Sequence, residues 1–299
     1  MISKKMKILF IGTVKFSYKA LFCLLENDYD VVGVITKRVS KFNADFYDLT
    51  PLAKKNNIPI KYRFKDNEDE LISFISEKKP DIIYCFGWSH ILPNKILKLP
   101  PYGVVGFHPA ELPNNRGRHP IVWAIFLDLQ QTSSTFFLMD KEADTGDIIS
   151  QEIIRIENDN AATLYKKITN VALKQILVFS KKLQNNNGII KTTVQDKKKG
   201  NYWRKREKND GRIDFRMSSK AIVNLVNSLT KPYIGAHIEI DDMDIVIWKV
   251  IEEFTTHNNF EPGKVLDIKG NEIIVKTYDS SIRIIEHEFF KLPKKGDYL

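Results

Sequence analysis

The sequence predicts an α/β fold, in which a doubly wound, mostly parallel sheet is followed by a smaller β-rich domain. Continuous apolar runs alternate with amphipathic segments through the first 190 of the 299 residues. This alternation is typical of the βαβ units of Rossmann-like sheets, whose strands are covered by helices on both faces. Toward the carboxyl end, short strands separated by turn residues are typical of a small OB-like barrel.

The elements of the first domain are predicted from apolar runs and helical spacing. The run over residues 7–12 is apolar and ends in glycine, as expected of a buried strand that precedes a tight turn. Further strands are predicted over 31–36, 81–86, 103–107, 134–139 and 148–156. Helices are predicted over 16–26, 48–56, 68–76, 120–127 and 161–183. Pro51 and Pro120 suit the first turns of two of these helices.

A change of composition marks the predicted domain boundary. We predict an α/β domain over residues 1–190, a basic linker over 191–207 and an OB-like domain over 208–299. The linker contains the clusters Lys197-Lys198-Lys199 and Arg204-Lys205-Arg206. In the last domain we expect one helix over 218–229, then strands over 236–240, 245–250, 263–268, 272–276 and 281–286.

Composition excludes several classes of protein. No apolar run reaches membrane-spanning length, and Cys23 and Cys85 lie among apolar neighbours, which argues against a disulfide framework or a cysteine metal site. We therefore expect no metal, no membrane association and a cytoplasmic location, where free cysteines are stable. The net charge of +9 either maintains solubility or attracts an anionic partner, such as nucleic acid, a nucleotide or a polyglutamylated cofactor.

The first strand–helix turn is Gly12-Thr13-Val14, which lacks two of the three glycines of the dinucleotide fingerprint. NAD is therefore not expected as a ligand. The turn either binds a nucleotide phosphate near the start of the next helix or serves only as a connection.

His108 is the first candidate for catalysis. It ends a predicted strand and precedes a loop rich in proline, asparagine, arginine and glycine. Ligand sites of open α/β sheets lie at the carboxyl ends of strands, and an imidazole there can transfer protons near neutral pH. A structural or merely exposed histidine is the alternative.

Two further segments follow predicted strands. The turn over residues 139–148 is rich in carboxylates, and one aspartate beside a histidine would orient the imidazole. A solvated acidic turn is the alternative. The segment over 86–93 contains an aromatic residue, a glycine and Ser89. It would line a flat heterocycle, or else supply a core tryptophan and a helix cap.

Together these segments resemble the formyltransferases that use N10-formyltetrahydrofolate. Residues 7–13 with Phe16 resemble the family's first strand and turn. The stretch His108-Pro109-Ala110-Glu111-Leu112-Pro113, with Arg116-Gly117 and Pro120, resembles the family's His-x-Ser-Leu-Leu-Pro, Arg-Gly and Pro block. Asp140 with Asp144-Thr145-Gly146 resembles its Asp-x-x-x-Asp-x-Gly loop, and residues 210–215 and 231–236 resemble the start of its C-terminal domain.

Members of this family formylate either methionyl-tRNA or amino sugars carried on nucleotides. Three features resemble the sugar-modifying branch, namely Ser89-His90-Ile91-Leu92, the second arginine Arg118, and Tyr202-Trp203-Arg204-Lys205-Arg206. The longer basic loop of the tRNA-modifying branch is not evident. The resemblance implies formyl transfer from N10-formyltetrahydrofolate to the amine of a nucleotide-linked amino (dideoxy) sugar, for surface glycans such as the lipopolysaccharide O-antigen. Tetrahydrofolate would be the product, and the protein would form a homodimer without a nucleic-acid partner.

The resemblance also implies roles for individual residues. His108 would move the proton of the attacking amine, and Asp144 would orient His108. The ring of the carrier would lie against Trp88, His90, Ile91 and Leu92. Arg118 would contact the carrier or shape its pocket, and further contacts would come from the backbone of Asp140, Lys141, Glu142, Ala143 and Asp144. The phosphates of the nucleotide would meet either the turn of Gly12 and Thr13 or the basic run with Arg204 and Arg206.

One position departs from the family pattern. The family has an asparagine two residues before the histidine, and its amide stabilises the oxyanion of the reaction, whereas this chain has Gly106. Loss of one oxyanion donor typically lowers the rate by about two to three orders of magnitude. His119 and Asn114 are the nearest polar candidates in sequence to replace it. Gly106 therefore leaves a non-catalytic folate- or nucleotide-binding module open, and a methionyl-tRNA formyltransferase is the other alternative.

Overall fold

The computed structural model describes residues 5–40, 44–64, 67–256 and 259–299. The chain divides into two compact units. Unit 1 comprises Met1–Gly117, Thr132–Ile154 and Lys167–Trp203. Unit 2 comprises Arg118–Gln131, Arg155–Lys166 and Arg204–Leu299. The two segments around residues 118–131 and 155–166 therefore group with the C-terminal part of the chain.

The elements up to residue 203 follow the predicted strand–helix alternation. The strands are β1 (Lys7–Ile11), β2 (Asp30–Thr36), β3 (Ile60–Tyr62), β4 (Ile82–Cys85), β5 (Val104–His108), β6 (Arg116–Gly117), β7 (Gln131–Leu138), β8 (Ile148–Arg155) and β9 (Tyr202–Trp203). The helices are α1 (Lys15–Glu26), α2 (Thr50–Lys55), α3 (Glu68–Lys78), α4 (Asn94–Leu97), α5 (Pro120–Phe126) and α6 (Ala161–Asn185).

Among the described residues, seven strands form one sheet in the order β3-β2-β1-β4-β5-β7-β8. Strands β1 to β5 are parallel, and β7 runs antiparallel to β5. The chain moves outward from β1 to β3 and then returns to β4 on the other side of β1. This reversal opens a crevice at the carboxyl ends of the strands, where ligands of such sheets bind. The predicted Rossmann-like architecture is confirmed.

Burial on both faces explains why the parallel strands have apolar runs rather than alternating patterns. In β1, every residue from Ile8 to Ile11 is at most 1% exposed. Leu9 and Ile11 pack with Ile83 of β4 and with Leu71 and Ile75 of α3 in one core cluster. This packing holds the strands in fixed positions relative to one another. It therefore also positions the segments that follow β4 and β5.

Unit 2 contains a five-stranded antiparallel sheet among its described residues, so the predicted β-rich C-terminal domain is confirmed. After α7 (Ser219–Leu229), its strands are β10 (Ala236–Ile240), β11 (Met243–Glu253), β12 (Val265–Lys269), β13 (Glu272–Lys276) and β14 (Ser281–His287), in the order β10-β11-β14-β13-β12. Val122 of α5 shares a core with Leu225 of α7 and Ile247 of β11. This apolar core explains why α5 belongs to unit 2.

The described residues include no helix with the length and apolar character that a membrane span requires. Among the same described residues, there is no group of three or more histidine, cysteine, aspartate or glutamate side chains that could hold a metal ion.

Candidate active site

Strand β5 places His108 at the carboxyl edge of the sheet. His108 is the last residue of β5, pairs with Thr135 of β7 and is only 5% exposed. Its Nε2 lies 2.8 Å from the carbonyl oxygen of Asn115. A carbonyl can only accept a hydrogen bond, so Nε2 carries a hydrogen and the neutral ring has its lone pair on Nδ1.

Asp144 reaches the same place from the turn between β7 and β8. Its Oδ2 lies 3.7 Å from Nδ1 of His108 and accepts a 3.0 Å hydrogen bond from the N–H of Gly117. The distance of 3.7 Å is too long for a hydrogen bond but suits attraction between a carboxylate and a protonated imidazole. The sequence-predicted pair is therefore brought together, with Gly117 as the hydrogen-bond partner of the carboxylate.

The turn that carries Asp144 is tightly closed. A Cβ at position 146 would lie 1.6 Å from the carbonyl oxygen of Leu138, so only Gly146 fits there. Oδ1 of Asp140 accepts hydrogen bonds from the N–H of Glu142 and from Oγ1 of Thr145. The spacing of this segment thus has a structural basis, because Asp140 and Gly146 shape the turn while Asp144 faces the histidine.

The carboxylate of Asp140 also has a charged partner. Nζ of Lys197 lies 2.8 Å from its Oδ2. Burial raises the pKa of Asp140, but the hydrogen bonds from Lys197 and Thr145 outweigh burial, so the net pKa lies below its ordinary value. Asp140 is therefore ionised at neutral pH. The side chains of Lys141, Glu142 and Ala143, at the tip of the turn, are exposed.

The segment after β4 lies at the same edge of the sheet. Trp88 is partly buried, Leu92 is buried in the core, and Ile91 is 77% exposed. The rings of Trp88 and His90 make an edge contact with centroids 5.7 Å apart. Nζ of Lys37 lies 2.6 Å from Nε2 of His90, and burial, with a contribution from Arg63, lowers the pKa of Lys37.

Trp88 provides the test of whether these residues suit a folate-type ring. Within the described structure, its Nε1 is buried and has no hydrogen-bond partner. Orphaned buried donors are rare in native proteins and call for an explanation. A flat heterocycle that offers an acceptor beside the exposed His90 and Ile91 would supply the missing partner, so the residues present fit such a carrier.

The Gly12-Thr13 turn is packed against its neighbours. Thr13 is 1% exposed, and its N–H donates to Oγ of Ser17, while the N–H of Gly12 donates to the carbonyl of Ile35. The N–H of Val14 also donates to Ser17. These backbone donors are already engaged, and phosphate binding at this turn stays a prediction.

Three predicted contact residues, Arg118, Arg204 and Arg206, belong to unit 2. Arg118 is exposed. Arg204 makes hydrogen bonds with both carboxylate oxygens of Asp210. Arg206 is 7% exposed and packs its guanidinium over the rings of Trp123 and Phe126, with centroid distances of 4.7 and 5.0 Å. Their roles toward the carrier and the phosphates stay predictions.

Gly106 pairs with Phe137 across the β5–β7 ladder. A Cβ on Gly106 would lie 2.8 Å from the Phe137 ring and 2.8 Å from Cγ of Met139. Apolar side chains therefore occupy the space that a larger residue at position 106 would need. Of the two residues considered as replacements for an oxyanion donor, Asn114 is exposed and His119 belongs to unit 2, where burial lowers its pKa.

Comparison with known families identifies the chain. The model of the formyl transferase family matches residues 6–180, and the model of the formyl transferase C-terminal domain matches residues 205–292. The chain belongs to the formyl transferase family. The protein is accordingly a formyltransferase, and N10-formyltetrahydrofolate is the carrier that this family uses.

Individual relatives differ in what they act on. The methionyl-tRNA formyltransferase of Caldanaerobacter subterraneus subsp. tengcongensis is 34% identical over 289 residues, which cover 94% of this chain and 91% of that protein. HypX from Aquifex aeolicus, solved with tetrahydrofolic acid, has a TM-score of 0.68 at 19% identity over 95% of this chain, which spans 44% of HypX. An N-formyltransferase from Helicobacter canadensis, solved with folinic acid and dTDP-3-aminofucose, has a TM-score of 0.67 at 20% identity over 94% of this chain and 99% of that chain. At these identities, the two solved structures show a shared fold.

Proposed function

We propose that the protein transfers the formyl group of N10-formyltetrahydrofolate to the free amine of a nucleotide-linked amino sugar. The observation that carries the proposal is the convergence of His108 and Asp144 at the sheet edge where the segment from Trp88 to Ile91 also lies. The product sugar would enter surface glycans such as the lipopolysaccharide O-antigen, and the active form would be a homodimer.

The chemistry assigned to the chain is proton handling. The carrier, when bound, supplies a formyl carbon that an amine can attack. Nδ1 of His108 is the ring nitrogen able to take the proton of the attacking amine and pass it toward the leaving nitrogen. The carboxylate of Asp144, 3.7 Å from Nδ1, would stabilise the imidazolium. Because His108 is largely shielded from water, this charge interaction would be weakly screened.

The residues around Trp88 would hold the carrier. Its ring would lie against Trp88, His90, Ile91 and Leu92, and the backbone of the Asp140–Asp144 turn would contact it from the other side. The unpaired Nε1 of Trp88 supports this placement.

A sugar acceptor is supported by the three sequence features of the sugar-modifying branch and by the structural neighbour solved with a dTDP-linked amino sugar. A second candidate acceptor is methionyl-tRNA, which is favoured by the 34% identity to a methionyl-tRNA formyltransferase over almost the whole chain. The two candidates share the carrier and the His108 chemistry, and they differ only in the molecule that bears the amine.

Mass spectrometry of the acceptor separates the two candidates. The purified protein is incubated with N10-formyltetrahydrofolate and either dTDP-3-aminofucose or initiator methionyl-tRNA. We expect the sugar nucleotide to gain the mass of one formyl group, and we expect His108→Ala to lower kcat by about 10²- to 10⁴-fold without loss of folding. Formylation of the tRNA alone would establish the second candidate. Turnover retained by His108→Ala would refute the assigned role of the histidine.

A further inference from the structure

Gln195 lies beneath the turn that carries Asp144. Its side chain is 5% exposed, and its Nε2 donates to two carbonyl oxygens, that of Asp144 at 3.0 Å and that of Gly146 at 2.6 Å. A single amide group therefore bonds to the turn on both sides of Thr145. Because both acceptors are backbone atoms, these bonds fix the course of the chain and not merely one side chain.

The other end of the amide is fixed by Arg116. Its Nη2 donates to Oε1 of Gln195 at 3.0 Å, and its Nη1 donates to the carbonyl oxygen of Lys199 at 3.2 Å. Arg116 is 1% exposed, and its guanidinium lies over the ring of Tyr202 with a centroid distance of 5.5 Å. A guanidinium has no acceptor, so Oε1 must face Arg116 and Nε2 must face the turn.

The two chain segments that contain Arg116 and Gln195 also hold the groups that contact the imidazole of His108. Asn115, whose carbonyl accepts the Nε2–H of His108, donates its own N–H to Oδ1 of Asn201 at 2.8 Å. The N–H of Arg116 donates to the carbonyl of Asn201 at 3.1 Å, and the next residue, Gly117, bonds to the carboxylate of Asp144. Residues 115–117 and 195–201 thus form one network that reaches both sides of His108.

We propose that Gln195 is a positioning residue that holds the carboxylate of Asp144 at Nδ1 of His108; this inference rests on the proposed function. Asp144 has a φ of 59°, in the left-handed region, which aspartate adopts more readily than most non-glycine residues. The two hydrogen bonds from Gln195 to the carbonyls of Asp144 and Gly146 hold the turn in this conformation. Without them the turn relaxes, and the carboxylate moves away from the imidazole.

Two substitutions test the hydrogen bonds separately from the packing. Gln195→Met keeps the length of the side chain but removes every hydrogen bond, whereas Gln195→Glu keeps the shape and the Arg116 contact but presents carboxylate oxygens to the two carbonyls. We expect both variants to lower kcat by about 10- to 100-fold, the effect typical of a misplaced catalytic group, with KM for the acceptor unchanged. Wild-type kcat in Gln195→Glu would overturn the proposal.

Gln175→Met is the matched control. Gln175 is 1% exposed, and its Nε2 donates to the carbonyl of Ser134 at 3.1 Å and to Oγ of Ser150 at 2.8 Å, away from the Asp144 turn. We expect this variant to lower Tm as much as Gln195→Met does while leaving kcat near that of the wild type. Equal losses of kcat in the two variants would show that Gln195 is only structural.

A double substitution tests whether Gln195 acts through Asp144. In an Asp144→Asn background, Gln195→Met should change kcat by less than about twofold, because residues that act as one unit are not additive. Losses that multiply would overturn the proposal.

A ligand-free measurement separates this inference from the proposed function. The ¹⁵N resonances of the His108 ring should shift in Gln195→Met as they do in Asp144→Asn, and they should not shift in Gln175→Met. Failure of the acceptor assay leaves this comparison intact, whereas His108 resonances that are unchanged in Gln195→Met would reject the positioning role.

Discussion

At the scale of single residues, His108 and Asp144 could be predicted from the sequence, because one ends a predicted strand and the other lies in a turn rich in carboxylates. The hydrogen-bond partners of these two side chains could not be predicted from the sequence. The hydrogen bond between Nε2 of His108 and Asn115 assigns the lone pair to Nδ1, and this assignment depends on the path of the loop after β5. Gln195 could not be recognised either, because it lies 51 residues after Asp144 in a segment of polar and basic composition.

Gly106 also belongs to the residue scale, and a single substitution should not turn it into an oxyanion donor. In Gly106→Asn, the new Cβ would lie 2.8 Å from the ring of Phe137, which is 2% exposed and cannot move freely. We expect a loss of about 1–3 kcal/mol in the free energy of unfolding, as is usual for overpacking, and no gain in kcat. Urea denaturation and steady-state assays measure both quantities.

Shortening Phe137 tests the cause of that loss. Adding Phe137→Leu to Gly106→Asn should recover part of the lost stability, because the aromatic ring is the obstacle. A Gly106→Asn protein that is as stable as the wild type would show that the site can accommodate a side chain without rearrangement.

At the scale of elements, long periodic segments could be predicted and short ones could not. The predicted strands and helices of both units are present with ends shifted by a few residues. By contrast, β3, α4, β6 and β9 are two to four residues long and are too short to show a period. Strands β6 and β9 exist because they pair with each other, with Gly117 facing the backbone of Trp203 so closely that a Cβ would lie 2.3 Å from its carbonyl oxygen.

The short helical turn over Lys208–Gly211 should contribute a pH-dependent stability to unit 2. Hydrogen bonds from Arg204 lower the pKa of Asp210 to about 2, whereas an unfolded aspartate titrates near 3.9. A lowered carboxyl pKa stabilises the folded state above about pH 4, and this stability is lost as the pH falls toward 2. We expect Asp210→Asn to cost about 1 kcal/mol or less at neutral pH, because Arg204 is largely exposed.

The measurement for Asp210→Asn is urea denaturation at about pH 6 and about pH 2.5, on either side of this titration. The difference in stability between wild type and variant should shrink at the lower pH. A difference that is the same at both values would mean that the ion pair with Arg204 contributes nothing to folding.

At the scale of the whole molecule, the fold class could be predicted because strand–helix alternation and the change to short strands involve dozens of residues. The grouping of residues 118–131 and 155–166 with the C-terminal part could not, since it depends on contacts between segments distant in sequence. The net charge of +9 could be read from the sequence, but charge alone does not distinguish a small anionic ligand from a nucleic acid.

The dependence of KM on salt should distinguish these two kinds of acceptor. Binding through about six to ten phosphate contacts weakens by about 10³- to 10⁵-fold between about 50 and 200 mM salt. A nucleotide sugar has only two phosphates, so we expect its KM to rise by less than about tenfold over this range. A far steeper rise, at constant kcat, would indicate an extended anionic acceptor and contradict the proposed sugar.

The ring of Phe137 over Gly106 also constrains how this lineage can change. A lineage that gained an asparagine at position 106 while Phe137 remained would first pass through a protein with a crowded strand pair. Selection for stability would remove such an intermediate before any catalytic benefit could accumulate. A smaller residue at position 137, arising before or together with the asparagine, would relieve this crowding.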